Sequence, residues 1–423
     1  MATKSIFVTG DIANDHFLVK GKRFNSDDKN SQGTNYVHLN GGAFLISDLL
    51  NSISEVRKTN TNAEQLDISF GYNQDTANQL PDKNNGFVSL TQFKNPKKEI
   101  TWKIDEFLGY GDKGKSDTDF TSLHLAAKEA SDIYVFDDAG MDFATERNKT
   151  VWSSLIESAV KAKLNNSDSL VIYKKSSDFE RNNFFETLMK ASEKKQLNLL
   201  TIISIDEIRK LDVKVSMGIS WEQSAIDLVA ELKSNTTLSV LLKSNYLIVT
   251  FQSSGALFVV NDGNGNFEYS LIFDPENMEG ENETSNQGRI IGRMSVFTAA
   301  LASNLDLSRK DKHYKTENAI KAGLTAIRLL YIKGYVRTDN GIRYPFEEIA
   351  KELEDKKDFA FSSAPVPQPD AQPYIQDQKW SILINNYADK DIENKVQIKA
   401  LSALAKNVRL RKNLHFFFYN ISQ

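Results

Sequence analysis

The stretch SIFVTGDIAND, residues 5–15, determines the fold class of this 423-residue chain. It begins with a short, mostly apolar run from Ile6 to Thr9, and Gly10 and Asp11 follow directly. An apolar run that stops at glycine and a polar residue is typical of a buried strand whose carboxyl end opens into a loop. Because α/β proteins bind ligands at the carboxyl ends of their strands, the stretch predicts a central sheet and the edge where a site lies.

Apolar segments with strand and helix periodicity alternate further along the chain. The predicted strands cover residues 133–136, 170–173, 199–203, 246–251 and 256–260. The predicted helices cover residues 147–162, 179–193, 221–234, 294–304 and 317–332. This alternation predicts an α/β fold with a doubly wound, mostly parallel sheet and helices on both faces.

Polar and proline-rich segments divide the chain into a large domain and an appendage. We expect one domain over residues 1–340, with a small β lid formed by residues 17–40 and 66–111. Residues 341–373 then form a connecting segment that ends in a proline-rich linker, FSSAPVPQPDAQP. Residues 374–423 are predicted to be a helical tail with an aromatic run near its end.

Composition excludes several classes of function. The absence of cysteine excludes disulfides, thiolate nucleophiles and cysteine-ligated zinc. A net charge of −4 argues against general binding to nucleic acid or an anionic membrane. The five histidines lack the spacing of a metal site. No apolar run approaches the ~18 residues of a membrane span, and the N-terminal residues lack a signal-peptide pattern, so a cytoplasmic location is expected.

Short motifs that follow one another over about residues 5–335 carry a family resemblance. They are GDIAND at 10–15, the glycine pair at 41–42, SIDEIRKL at 204–211, VTFQSSGAL at 249–257 and IIGRMSVFTAAL at 290–301. In this order they resemble the ribokinase (PfkB) family of sugar and nucleoside kinases. The resemblance implies a ribokinase-like fold and, in an active member, use of ATP with Mg²⁺.

The first motifs imply a substrate site. By the resemblance, Asp15 holds sugar hydroxyls, and Gly41 and Gly42 let the sugar approach the backbone. Glu207 organises magnesium through water, although Ser204 replaces the family's asparagine. Two plainer interpretations stay open, since Asp15 is also suited to capping a turn and Glu207 to stabilising a helix N-terminus.

The later motifs imply a nucleotide site with a changed catalytic residue. Thr250 and Gly255 match residues that contact the nucleotide, and Gln252 replaces a family glycine. Gly292 matches a glycine of the anion-binding turn, whereas Met294 replaces the next one. Ser295 falls where the family has its catalytic base, an aspartate. A serine hydroxyl cannot accept the substrate proton as a carboxylate does, so Ser295 is expected to be catalytically inactive.

Several charged residues near these motifs add further expectations. Arg289 and Arg293 flank the turn at Gly292, and guanidinium groups bind phosphate well. The acidic residues 274–283 are a candidate source of a replacement carboxylate or a solvated loop. Asp137 and Asp138 follow a predicted strand and either line the cleft or belong to a solvated loop.

The sequence therefore favours a PfkB-like protein that binds a nucleoside, nucleotide or sugar, with weak or absent phosphotransfer, acting as a sensor or regulatory pseudokinase. One alternative is an active, divergent ATP-dependent sugar or nucleoside kinase. Another is a structural or assembly protein that reuses the fold. By the resemblance, lid strands can pair between two subunits, so a homodimer is expected, and the C-terminal tail predicts contact with a protein partner.

Overall fold

A computed structural model describes most of the chain, namely residues 3–22, 32–60, 63–71, 88–94, 100–107, 131–140, 143–146, 149–175, 183–211, 213, 215, 221–252, 254–273, 292–307, 312–334, 336–338, 341–355 and 361–366. The predicted tail, Arg289, the acidic residues 274–283 and the linker from residue 367 onward lie outside these residues. The side chains of residues 12–40 also lie outside the description.

A nine-stranded mixed sheet forms the centre of the fold, and its strands are numbered along the chain. Its parallel strands are β4 (Gln65–Phe70), β1 (Thr3–Gly10), β7 (Ile133–Asp137), β8 (Leu170–Lys174), β9 (Asn198–Ser204) and β10 (Tyr246–Phe251). Antiparallel strands complete it, namely β11 (Gly255–Asn261), β12 (Phe267–Phe273) and β15 (Ser362–Pro365). The order across the sheet is β15-β12-β11-β10-β9-β8-β7-β1-β4. The predicted α/β class, with its mostly parallel sheet, is confirmed.

Helices cover both faces of the sheet, because alternate side chains of each central strand enter two separate cores. In β1, for example, Phe7 packs into one core while Ile6 and Val8 pack into the other. The helices of the first face are Lys149–Asn165, Asn183–Glu193, Ile205–Ile208, Trp221–Ser234 and Thr236–Ser239, with a 3₁₀ turn at Val240–Lys243. Those of the second face are Ala43–Lys58, Arg293–Asn304, Lys312–Lys333 and Phe346–Asp355.

A separate four-stranded sheet, here called the small sheet, lies where the lid was predicted. It consists of β2 (Ile12–Lys22), β3 (Gln32–Gly42), β5 (Val88–Lys94) and β6 (Ile100–Phe107), in the order β3-β2-β6-β5. Only Asp11 separates β1 of the main sheet from β2 of the small sheet. A short hairpin, β13 (Val336–Thr338) and β14 (Gly341–Arg343), forms a third sheet.

Three segments differ from the predicted boundaries. Residues 66–70, expected in the lid, belong to β4, which pairs in parallel with β1 of the main sheet. Helix Phe346–Asp355 and β15 lie within the predicted connecting segment, yet both pack with the large domain. Proline is tolerated in β15 because that strand is at the edge of the sheet and Pro365 is its last residue. The large unit thus extends beyond residue 340.

None of the helices in the described part of the chain is both long enough and apolar enough to cross a membrane.

Candidate functional site

Parallel strands of the main sheet end together and bring several of the predicted residues to one edge. Gly10 of β1 is in register with Asp137 of β7, which is in register with Lys174 of β8. Farther along the same edge, Ser204 of β9 is in register with Thr250 of β10. The carboxyl edge of the sheet is therefore the framework of the candidate site.

The start of this edge is built around Gly10, whose φ is +143°. A Cβ at this position would lie 2.2 Å from the carbonyl oxygen of Asp137, so any side chain would push β1 and β7 apart. The next residue, Asp11, is buried, and its amide donates to the Asp137 carbonyl at 2.8 Å. Glycine at position 10 is thus explained by close strand packing.

The predicted substrate residues lie at the base of the small sheet. Gly42 is in register with Ile12, and Gly41 with Ala13, at the end of the sheet next to β1. Asp15 is farther along β2, in register with Leu39, about 10 Å from Ile12 at the usual rise of a strand. Its backbone therefore lies near the carboxyl edge, while its side chain is outside the description.

The predicted anion-binding turn lies beside the same glycine pair. Gly292 adopts a left-handed conformation, φ +86°, and caps helix Arg293–Asn304. A Cβ on Gly292 would lie 2.7 Å from Cδ1 of Leu45, in the first turn of helix Ala43–Lys58. The two helices therefore begin next to each other. Amides of a helix's first turn lack intrahelical partners, so two such ends in contact favour binding of an anion.

Ser295, the residue at the predicted catalytic position, lies in the first turn of helix Arg293–Asn304 and is 4% exposed. Its hydroxyl makes no hydrogen bond to any described residue. Arg293 is partly exposed, and its guanidinium donates to the hydroxyl of Tyr331 at 2.7 Å and lies 4.0 Å from the carboxylate of Asp206. Arg293 thus lies two residues before the buried serine and close to the carboxylate of Asp206, which belongs to helix Ile205–Ile208.

The predicted nucleotide strands meet this turn through a side-chain contact. Thr250, fully buried at the end of β10, donates its hydroxyl to the sulfur of Met294 at 3.1 Å. Gln252, which replaces a family glycine, has a positive φ of 56°. Positive φ favours glycine, so the backbone after β10 holds Gln252 in a conformation that residues with a side chain rarely adopt. Gly255 is buried and opens β11 in register with Phe251.

Glu207 has a structural role in the short helix Ile205–Ile208. Its amide donates to the hydroxyl of Ser204, which caps the helix, and its carboxylate pairs with Lys210 at 2.7 Å. Among the described residues there is no group of three or more His, Cys, Asp or Glu side chains suited to holding a metal ion. Asp206 and Glu207 are adjacent carboxylates at the edge of the sheet.

Sequence reasoning missed a buried charge cluster at the ends of β7 and β8. Asp137 is fully buried and pairs with Lys174 at 2.5 Å, while Asp138 accepts a hydrogen bond from the hydroxyl of Tyr173 and lies 3.9 Å from Lys175. Burial raises the pKa of the Asp137 carboxyl, and the Lys174 ammonium opposes that increase.

The sequence left two interpretations of Asp137 and Asp138, a lining of the cleft or a solvated loop. The solvated loop is wrong, because both residues are buried. The doublet Lys174-Lys175 directly after an apolar strand was the signal for this cluster.

The structure thus brings together Gly10, Gly42, Gly292, Ser295, Arg293 and Thr250 at one edge. Arg289 lies outside the described residues, and the substrate, nucleotide and metal roles of the others stay predictions.

Comparison with known proteins gave matches to solved structures alone. No family model matches the chain, and no curated protein matches it significantly. An inosine complex of a Burkholderia thailandensis nucleoside kinase has 12% identity and a TM-score of 0.38, covering 84% of this chain and 98% of its own. The 2-dehydro-3-deoxygluconokinase of Thermotoga maritima has 12% identity and a TM-score of 0.35, with the same coverage.

The ligand-free form of the Burkholderia enzyme has 11% identity and a TM-score of 0.34, covering 83% of this chain and 99% of its own. Likeness at this level does not assign a function, and the family resemblance stays a prediction.

Proposed function

We propose that this chain binds a nucleotide, nucleoside or sugar at the carboxyl edge of the main sheet, with phosphotransfer weak or absent. The observation that carries the proposal is the contact between Leu45 and Gly292, which places the first turns of two helices side by side. Helix N-termini favour negative charge, so these two first turns and the guanidinium of Arg293 suit an anionic group such as a phosphate. The small sheet joins the main sheet at this edge, so it is placed to contact the remainder of the ligand.

Weak phosphotransfer follows from the chemistry of Ser295. The transfer reaction needs positioned charges and a group that takes the hydroxyl proton of the acceptor. Ser295 has a hydroxyl of very high pKa at the position implied for that group, and it makes no hydrogen bond to a described carboxylate. Loss of a general base typically lowers a rate about 100-fold to 10,000-fold.

Calorimetry with ATP, adenosine and ribose, with and without Mg²⁺, tests the binding proposal, and ADP release tests turnover. We expect binding of at least one of these compounds with ADP release far below the ordinary kinase range of about 1–100 s⁻¹. Ser295→Asp should raise ADP release, while Ser295→Ala should leave it at the wild-type level. Failure to bind any of the compounds would favour the structural alternative.

Asp206 supports a second candidate, an active kinase with a relocated carboxylate. Its carboxylate is 44% exposed and lies 4.0 Å from Arg293, at the turn that bears Ser295. Together with Glu207 it also supplies carboxylates of the kind that hold Mg²⁺ beside phosphate oxygens. In that case wild-type ADP release is in the kinase range, Asp206→Asn abolishes it, and Ser295→Ala has little effect.

A further inference from the structure

Three asparagines lie in the turn NDGNGN, residues 261–266, which runs from the last residue of β11 to the residue before β12. Two of them are held by their side chains. The carboxamide of Asn261 donates to a backbone carbonyl at 2.7 Å, and that of Asn266 donates to the carboxylate of Asp262 at 2.8 Å. The third, Asn264, is exposed at the tip of the turn. The three asparagines thus share one turn but differ in their surroundings.

The residue after Asn264 is Gly265, and its backbone amide differs from both of its neighbours. The amides of Asn264 and Asn266 donate to Oδ1 of Asp262, at 2.7 and 3.2 Å. The amide of Gly265 makes no hydrogen bond to a residue that the structure describes. With φ +90°, Gly265 has no atom within 4 Å of the place that a Cβ would take. The Gly265 nitrogen is therefore unhindered next to the Asn264 side chain.

We propose that Asn264 is a site of spontaneous deamidation, in which the amide nitrogen of Gly265 attacks the side chain of Asn264. A buffer base takes the amide proton, the nitrogen bonds to Cγ of Asn264, and the bond from Cγ to Nδ2 breaks so that ammonia leaves. Water then opens the five-membered imide at either of its carbonyls, which gives aspartate or isoaspartate at position 264. The rate of such an intramolecular step depends on how closely the two groups approach, and glycine has no Cβ to obstruct that approach.

The modification adds a negative charge beside Asp262. Hydrogen bonds from the side chain of Asn266 and from the backbone amide of Asn264 hold the pKa of Asp262 below its usual value, so its carboxylate is charged at neutral pH. A carboxylate at position 264 repels it and weakens the turn. Because β11 begins at Gly255 beside the carboxyl end of β10 and runs antiparallel to it, the turn lies at the opposite edge of the sheet. The proposal is therefore independent of ligand binding at the carboxyl edge.

Incubation of the folded full chain in mildly alkaline buffer, followed by peptide mass spectrometry, tests the proposal. We expect the side-chain amide of Asn264 to be lost, with aspartate and isoaspartate both present at that position. Asn261 and Asn266 should keep their amides, because residues with side chains follow them and hydrogen bonds hold their carboxamides. An unchanged Asn264, or equal conversion of the three asparagines, would overturn the proposal.

Asn40 and Gly41 provide a matched control, because the same dipeptide lies in β3, where the backbone pairs with β2. Strand pairing holds this backbone extended, so we expect Asn40 to keep its amide in the folded chain. In concentrated guanidinium Asn40 and Asn264 should convert at similar rates, since the structural difference is gone. Conversion of Asn40 as fast as Asn264 in the folded chain would mean that the dipeptide alone decides the rate, which contradicts the structural argument.

Two variants test the role of the attacking nitrogen. Gly265→Ala places a Cβ beside that nitrogen without contacting another part of the fold, and it should slow the conversion of Asn264 roughly 10-fold to 100-fold, the effect of slightly displacing two reacting groups. Asn264→Gln removes the five-membered route and supplies the baseline for this peptide. An unchanged rate in Gly265→Ala would mean that ammonia is lost by direct hydrolysis, which rules out attack by the Gly265 amide.

Discussion

The hydroxyl of Thr250 donates a hydrogen bond to the sulfur of Met294, with 3.1 Å between the two atoms. This bond joins the end of β10 to the first turn of helix Arg293–Asn304, at the position where the resemblance implies glycine. A thioether is a weak acceptor, so the bond adds specificity to the packing of Met294 more than it adds energy. The side chain of Met294 thus packs against β10 at the turn where helix Arg293–Asn304 begins.

A double-mutant cycle measures this contact. Thr250→Val removes the buried hydroxyl and keeps the shape, and Met294→Leu removes the sulfur and keeps the volume. We expect a coupling of about 0.5–1 kcal/mol in the free energy of unfolding by urea. Effects that add within about 0.3 kcal/mol would mean that the two side chains do not interact.

Gly292→Ala is expected to destabilise the chain for two separate reasons. An alanine at φ +86° adopts a left-handed conformation, and its Cβ would lie 2.7 Å from Leu45. We expect a loss of about 2–4 kcal/mol in thermal or urea unfolding, the sum of backbone strain and crowding. The control Gly265→Ala has φ +90° with no atom within 4 Å, so it should cost only about 1–2 kcal/mol. Equal losses would show that Leu45 moves aside freely.

The buried carboxyl of Asp137 predicts a specific pH dependence of stability. Its pKa is raised above 3.8 in the folded chain, so the folded state keeps a proton that the unfolded state has lost. Its contribution to the free energy of unfolding therefore falls as pH rises from about 4 through the raised pKa. Asp137→Asn lacks this titration, and the wild type should lose stability relative to it over that range.

Urea unfolding at a series of pH values from about 4 to 8 checks this prediction. Lys174→Met serves as a second variant, since it removes the ammonium that lowers the pKa of Asp137 and should extend the loss to higher pH. Parallel stability curves for wild type and Asp137→Asn would contradict the prediction.

A buried cation at the opposite edge of the sheet is predicted to be a major source of stability. Lys4 is 4% exposed, and its ammonium donates to the carbonyls of Ser303 and Leu305 and pairs with Glu64. Lys4→Met removes this donor from the carbonyl of Leu305 and one of the two donors from that of Ser303, and should cost about 1–3 kcal/mol. Lys58→Met, which breaks an exposed pair with Glu55, should cost about 0.5 kcal/mol or less in the same urea titration. Similar losses for the two variants would contradict this role.

The order of the main elements was predictable because the central strands are buried on both faces. Continuous apolar runs such as 199–203 leave a strong signal in the sequence, and each strand and helix predicted between residues 133 and 332 has an observed counterpart. Strand β15 was missed because its partner, β12, is distant in sequence and its own residues are Ser, Ala and Pro. Residues 66–70 were assigned to the wrong sheet, since periodicity predicts a strand but not which strand it pairs with.

The positions of some residues at the carboxyl edge could be predicted, because a glycine or the end of an apolar strand marks them in the sequence. Gly10, Gly42 and Gly292 were found this way, because backbone geometry restricts what can replace them. The role of Asp11 was not, since an aspartate after a strand looks the same whether it faces water or accepts two buried amides. The Asp137–Lys174 pair likewise depends on two strands lying side by side.

Two basic residues hold the far end of the helix that starts at Gly292. Lys4 and Arg57 both donate to the carbonyl of Ser303, and Arg57 also pairs with Glu354 of helix Phe346–Asp355. With 12 residues, helix Arg293–Asn304 is about 18 Å long, and these hydrogen bonds hold the end that is remote from Gly292. The backbone at Gly292 is therefore positioned, through the helix, by hydrogen bonds made at the helix's other end.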